Sequence, residues 1–174
     1  MIFMAYAVIR LPQYSKADLD EITGGLDDPF EVAAFGVRSR DKDVHFGVRH
    51  QGRLVAHAGL VDATVSVGQR RFPVAGLGGV VVAPDLRGHG LARLVVDAAV
   101  AHARGTGVEF GLLFCLPDRV PLYRRLGWRE SADGMRVEQP GGVVVDHPLR
   151  TMWAPLADGA VWPPGPARLH SLPM

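Results

Sequence analysis

The 174 residues are 48% apolar and carry a net charge of +1, which suits one domain over 1–174 with a full hydrophobic core and gives no general pull toward nucleic acid or membrane. The single cysteine, Cys115, excludes an internal disulfide and agrees with a reducing, cytoplasmic setting. The uncharged stretch Val74 to Pro84 is too short and too glycine-rich to span a bilayer, and the N-terminus lacks a signal-peptide pattern.

In chain order, Tyr6 to Leu11 reads as a first strand stopped by Pro12. Ser15 with Asp18 three residues on is a helix start, and Gly24-Gly25 a helix end near Thr23. Asp28-Pro29 predicts a second helix carrying Phe30, Val32, Ala33 and Phe35 to about Gly36. The charged run Ser39 to Asp43 reads as a solvated loop. Val44 to His50 and Arg53 to Val67 form strands joined by Gln51-Gly52, a hairpin signal, and Gly68-Gln69 turns the chain into a strand from Arg71 to Val82.

A helix follows to about Arg104, with Leu91, Leu94, Val95 and Ala98 on one face, and Gly105 ends it. Phe110–Cys115 is a strand and Val120–Leu126 a short helix. Arg136–Gln139 and Val143–Trp153 are strands around Pro140-Gly141-Gly142. The tail, 158–174, is proline-rich and predicted irregular, with Trp162, Leu169 and Leu172 packing on the body.

Chemistry concentrates between Gly76 and Arg104. A β-branched run, Val80, Val81 and Val82, leads through Pro84-Asp85-Leu86 into Arg87-Gly88-His89-Gly90-Leu91-Ala92 at the helix start. Free N–H groups and partial positive charge at a helix N-terminus favour an anion, and glycines let a phosphate approach the backbone. Arg87 and Arg93 add full charges. The spacing fits neither a P-loop, which needs a Lys-Ser/Thr pair, nor a dinucleotide fingerprint, whose third glycine register holds Arg93.

Arg87, Gly90 and Ala92, preceded by Val82-Ala83-Pro84, instead resemble the pyrophosphate-binding motif of the GNAT acetyltransferases. Leu122-Tyr123-Arg124-Arg125-Leu126-Gly127-Trp128 is similar to a later segment of that family. The resemblance implies an α/β (α+β) fold: a mixed sheet with helices on both faces, and a splay between strands 4 and 5 that admits the pantetheine arm of acetyl-CoA. It assigns cofactor contacts to Val80, Val81, Val82, Arg87, Gly88, His89, Gly90, Leu91 and Ala92. It makes Tyr123 the general acid for the leaving thiolate, against the alternative of a packed aromatic. Many relatives keep a glutamate base on the strand before the loop, where Gly78 stands here. His57 on the neighbouring strand is the substitute base, or a hydrogen-bonded core histidine, and Asp62 could act through water.

Among branches, Leu122 to Trp128 and Trp162-Pro163-Pro164-Gly165 look most like the aminoglycoside 2'-N-acetyltransferases. Ala56-His57 and Pro84-Asp85-Leu86 also occur in nodulation N-acyltransferases, which lack the loop arginine. The expected partner is a small-molecule amine, with Asp27, Asp28, Glu31 and Trp162 as acceptor contacts. The acids equally suit a helix start, and Trp162 a tail anchor. A longer acyl-CoA or acyl carrier protein donor, and a CoA-binding module without turnover, are the alternatives. Relatives often dimerise through their C-terminal strands, and Val143 to Trp153 offers such a surface for a homodimer, while the oligomeric state stays open. Cys115 reads as a small buried residue. His102, His147 and His170 have no ligand spacing, and no metal is expected.

Overall fold

Three consecutive strands pair antiparallel in chain order, and their two turns are set by residues that tolerate left-handed backbone. The computed structural model describes residues 5–174. β1 (Val8–Leu11) leads into α1 (Lys16–Thr23). Ser15 caps that helix in a reciprocal box, its N–H donating to Asp18 Oδ2 at 2.7 Å. β2 (Val44–His50) and β3 (Arg53–Val67) are joined at Gln51 and Gly52, with φ of 52° and 78°, the pair of positive angles a tight hairpin turn requires. β4 (Arg70–Val82) returns alongside β3 from Ala56↔Val82 to Val67↔Arg70.

α2 (Leu91–Gly105) crosses over to β5 (Phe110–Cys115), which pairs parallel with β4. Its buried stripe, Leu91, Val95, Val96, Ala99 and Ala103, is turned slightly from the predicted one, while Leu94 and Ala98 lie at its margin. α3 (Val120–Arg125), β6 (Arg129–Glu130), β7 (Arg136–Gln139), β8 (Val143–Asp146), β9 (Arg150–Pro155) and β10 (Ala167–Leu169) complete the chain. The sheet runs β6-β9-β5-β4-β3-β10-β7-β8, with β2 pairing the first half of β3 and β1 pairing β2.

Two apolar clusters hold it. One joins α2 to Val48, Ala56, Ala58, Leu60, Ala75 and Leu77; the other gathers Phe72, Val74, Phe110, Leu112, Trp153 and Trp162. Each fully buried Leu or Phe in them is worth roughly 1.5–3 kcal/mol.

Three expectations need correction. The second helix does not form. Asp28 Oδ1 and Oδ2 accept the N–H groups of Val32 and Ala33 at 3.0 and 3.1 Å, and Glu31 has φ 59°, which no right-handed helix can continue. Only a single 3-10 turn, Ala33–Phe35, remains.

The strand expected over Val143–Trp153 is two strands in different places. β8 pairs β7 at one edge, whereas β9 lies between β5 and β6. Pro148 lacks an N–H, and Leu149 N–H donates to His147 Nδ1 at 3.1 Å, closing a turn between them. No single continuous surface from Val143 to Trp153 exists for a dimer; Val143, on the β8 edge, is 54% exposed.

The tail is not wholly irregular. β10 inserts beside the second half of β3, antiparallel, and beside β7, parallel.

Candidate functional site

β4 and β5 touch only at Ala75↔Gly111 and Gly76↔Leu112. Above that contact the strands part, and among the described residues no strand pairs the edge of β4 from Leu77 to Val82 on the β5 side. Val80, Val81 and Val82 lie on this edge. The parting has a local cause. Gly59 pairs with Gly78 and His57 with Val81, so Gly79 and Val80 together oppose Ala58. This is a bulge, and Gly79 carries it with φ 63°. A bulge bends its strand and leaves an extra residue outside the ladder, which gives an extended ligand backbone groups to pair with.

At the upper end of that edge, a 3-10 turn (Pro84–Leu86) leads to the α2 start. Gly88 and Gly90 have φ of 85° and 77°, and Gly90 is the N-cap. A Cβ at either would meet nothing within 4 Å, so the cradle is open in front. The N-terminal N–H groups of α2, from Leu91 and Ala92 on, are those without an intrahelical partner. Arg87 and His89 are exposed there. Arg53 steadies the loop from below through Asp85, at 2.8 Å, and that contact draws the Asp85 carboxyl below its usual range. These features fit a diphosphate at the loop and an extended amide arm along β4.

At the far end of β5, Tyr123 sits on α3 with 8% of its surface exposed. Gly127 (φ 93°) closes α3 in a Schellman arrangement, with Trp128 N–H donating to Tyr123 O at 3.0 Å. The Trp128 indole meets the phenol ring edge-on at 6.4 Å. Burial, and then the neighbouring Cys115 thiol, raise the Tyr123 hydroxyl well above the ordinary tyrosine range, so it keeps its proton. Cys115 is buried, donates to Met152 Sδ at 3.7 Å, and is pushed up to about 11, mainly by burial; it is no nucleophile at neutral pH.

The opposite side of the bulge is polar and crowded. His57 is 1% exposed. Its Nδ1–H donates to Gly79 O at 2.7 Å, and its Nε2 meets His45 Nδ1 at 2.9 Å. Tyr14 stacks on its ring at 3.6 Å. Burial pushes His57 down to about 4, so it is neutral, with both nitrogens occupied. Lys42 comes from the run expected to be solvated, yet its stem crosses Gly59, and its Cε lies 2.7 Å from where a Gly78 side chain would begin. The place expected for a glutamate is thus filled by a lysine from another strand's approach. Met174 fills the room at Gly76, with Sδ at 2.8 Å from the same kind of point.

Asp27 is exposed, Asp28 is committed to its backbone cap, and Glu31 pairs with Arg119 at 3.2 Å. Trp162 stacks on Trp153 at 6.0 Å and meets Phe72 and Phe110 edge-on, a tail anchor 9% exposed. The backbone carbonyl of Asp62 accepts from Arg40 Nη1 at 3.3 Å. His147 stacks on Phe114 at 3.9 Å, and His170 Nε2 bonds Ser66 Oγ at 2.6 Å. Among the described residues no three His, Cys, Asp or Glu side chains cluster in metal-ligating reach, and no helix is long and apolar enough to cross a membrane. Sequence reasoning missed Lys42, His45, Tyr14 and Met174. The only sequence signal was the pair of glycines, Gly59 and Gly78, facing each other across β3 and β4.

Comparison with known proteins bears on the same geometry. The model of the acetyltransferase (GNAT) domain matches residues 21–131, which contain the bulge, the α2 loop and Tyr123. An aminoglycoside 2'-N-acetyltransferase of Mycolicibacterium fortuitum is 31% identical over 134 residues, covering 73% of this chain and 68% of its own. A GCN5-related N-acetyltransferase of Kribbella flavida superposes with TM-score 0.52 at 26% identity over 74% of this chain, which spans only 34% of that protein. The Escherichia coli protein YhbS, a GNAT family N-acetyltransferase solved with CoA, superposes with TM-score 0.61 at 19% identity, over 98% of this chain and 93% of its own. The last of these shows the fold alone.

Proposed function

The chain belongs to the GNAT acetyltransferase family, and from that premise we propose that it moves an acetyl group from acetyl-CoA to the primary amine of a small polar acceptor, with amino sugars of the aminoglycoside kind as the leading class. The observation that carries this reading is the parting of β4 and β5 above Gly76–Leu112, bounded by the open glycine cradle at α2 and by Tyr123 beside Cys115. The relative from Mycolicibacterium fortuitum supports the acceptor class.

The chemistry follows from the groups present. Arg87 and the α2 N-terminus suit the diphosphate, and the β4 edge from Val80 to Val82 suits the amides of the arm. A deprotonated amine attacks the thioester carbonyl. Backbone N–H groups freed at the Gly79 bulge are suited to the oxyanion, and Tyr123 gives its proton to the departing thiolate. His57 is a positioning residue in this reading: buried, neutral and doubly bonded, it holds the bulge rather than taking the amine's proton. That proton goes to solvent.

The rooms beside Gly76 and Gly78, which a longer acyl chain would need, are filled by Met174 and Lys42, and this favours the short acetyl donor. The test is acetyl-CoA-dependent thiol release across aminoglycosides, polyamines, amino acids and peptides, with Tyr123→Phe as control. Release confined to aminoglycosides supports the proposal. Release only with peptides, or only with a longer acyl donor, overturns it.

A further inference from the structure

Lysine is scarce in this chain. There are two, Lys16 and Lys42, against 17 arginines. They stand in opposite settings. Lys16 lies on the outer face of α1, its side chain 80% exposed and its Nζ paired with Asp20 at 2.8 Å. Lys42 is half-buried, and its stem runs over Gly59 toward the bulge. Its Cε is 2.7 Å from the start of any side chain at Gly78 and 3.8 Å from the corresponding point at Gly79. Its Nζ donates to a backbone carbonyl, Arg40 O at 3.1 Å, instead of to a carboxylate.

Arginine could fill the same volume and carry the same charge, but it cannot lose its proton and attack a carbonyl. Lysine can, and burial lowers its proton affinity here, with Arg40 acting in the same direction and Asp41 opposing. Nζ ends a flexible four-carbon stem whose Cε already lies beside Gly78, on the strand whose edge parts from β5. In the proposed placement, an extended arm anchored at Gly88–Gly90 and running down the β4 edge ends beside Gly78 and Gly79.

We propose that Lys42 is an internal acetyl acceptor: with acetyl-CoA and no amine present, the protein acetylates its own Lys42. The inference rests on the proposed placement of acetyl-CoA along β4. The neutral ε-amine forms an N–C bond to the acetyl carbonyl, the C–S bond breaks, the sulfur takes up one proton, and the nitrogen gives one up. The products are one N-acetyl-lysine and one free CoA thiol. Acetylation removes the charge beside the bulge and adds bulk there, so the modified protein turns over an external amine more slowly.

The test incubates the whole protein with acetyl-CoA alone, follows its intact mass and maps the modified peptide. One acetyl group per chain at Lys42, with Lys16 unmodified, is the expected result; Tyr123→Phe slows it and Lys42→Arg abolishes it. Lys16 is the control inside the same molecule, because simple chemical acetylation favours the exposed amine, so the reading does not depend on a variant folding. Labelling of both lysines alike, or of Lys16 first, overturns the proposal. So does an unmodified Lys42 in a preparation that acetylates a small amine, which leaves the proposed function standing. Absence of acetyl-CoA binding by calorimetry removes both.

Discussion

His57 donates its Nδ1–H to the carbonyl oxygen of Gly79 at 2.7 Å, across the point where β4 bulges away from β3. A carbonyl only accepts, so Nδ1 carries the ring proton and Nε2 has the lone pair. The proton between the two rings therefore belongs to His45 Nδ1, 2.9 Å away. His57→Ala strands a buried carbonyl, a cost of about 1–3 kcal/mol, and releases the bulge. The expected outcome is a lower Tm and a kcat reduced about 10-fold or more, with little change in the KM for acetyl-CoA. His57→Asn can place an amide N–H where Nδ1 stood and should recover most of kcat. An Asn variant as impaired as the Ala variant would show that the imidazole does more than hold the backbone.

The same histidine makes stability pH-dependent. Burial pushes His57 in the folded protein down to about 4, and His147 likewise, while an unfolded chain holds histidine near 6.5. Between those values the unfolded state binds protons that the folded state refuses. The stabilisation is complete above about pH 6.5 and is lost as pH falls toward 4. For the fully buried His57 it amounts to something on the order of 3 kcal/mol. Urea midpoints measured from pH 7.5 to 4.5 should fall below pH 6.5, and less steeply in His57→Asn. A midpoint flat across that range would contradict the buried neutral ring.

Much of this was legible in the sequence where the signals were local. The Gln51-Gly52 turn, the apolar stripe of α2 and the Tyr123–Trp128 segment each depend on residues within a few positions of one another. What stayed hidden depends on distant partners or on competing bonds. The Asp28 carboxylate captured the backbone that Pro29 would have started as a helix. β10 became a strand because β3 is long enough to offer an edge beyond β2, a fact no pattern in the proline-rich tail carries. In the site, Lys42 was invisible because a charged run reads as solvated. Its burial follows only once Gly59 and Gly78 are adjacent across two strands.

Tyr123 carries the most direct test of chemistry. Phenylalanine keeps the edge-on contact with Trp128 and removes only the hydroxyl. Tyr123→Phe should lower kcat by about 100-fold and leave acetyl-CoA affinity unchanged, as expected for loss of a general acid. Because burial raises the phenol above its usual range, the wild-type rate should not decline with an ordinary tyrosine pKa as pH approaches 10. An unchanged kcat in the variant would reduce Tyr123 to a packed aromatic.

Gly111 tests the packing beneath the splay. A Cβ there would begin 2.8 Å from Trp128 Cη2 and 3.3 Å from Cζ3, and an indole ring cannot bend aside as a flexible chain end can. Gly111→Ala should cost about 1–3 kcal/mol by overpacking. It should also disturb Tyr123 through the shared Trp128 contact. The measurement is a denaturation curve with kcat at low temperature, where the folded fraction is complete. A neutral substitution would mean that the indole has room to move.

Arg87 separates a cofactor contact from a solvated side chain. It is exposed at the mouth of the α2 cradle, between the Asp85 turn and the left-handed Gly88. If its charge meets a diphosphate, Arg87→Ala raises the KM for acetyl-CoA by about 10-fold while kcat holds, since uniform binding is what is lost. Arg87→Lys keeps the charge without the fork and should fall between the two. The difference between wild type and Arg87→Ala should shrink as salt rises from low ionic strength to about 0.5 M, because screening weakens an exposed charge pair. Equal KM values at low salt would assign the anion cradle to the α2 backbone alone, with Gly88 and Gly90 sufficient to form it.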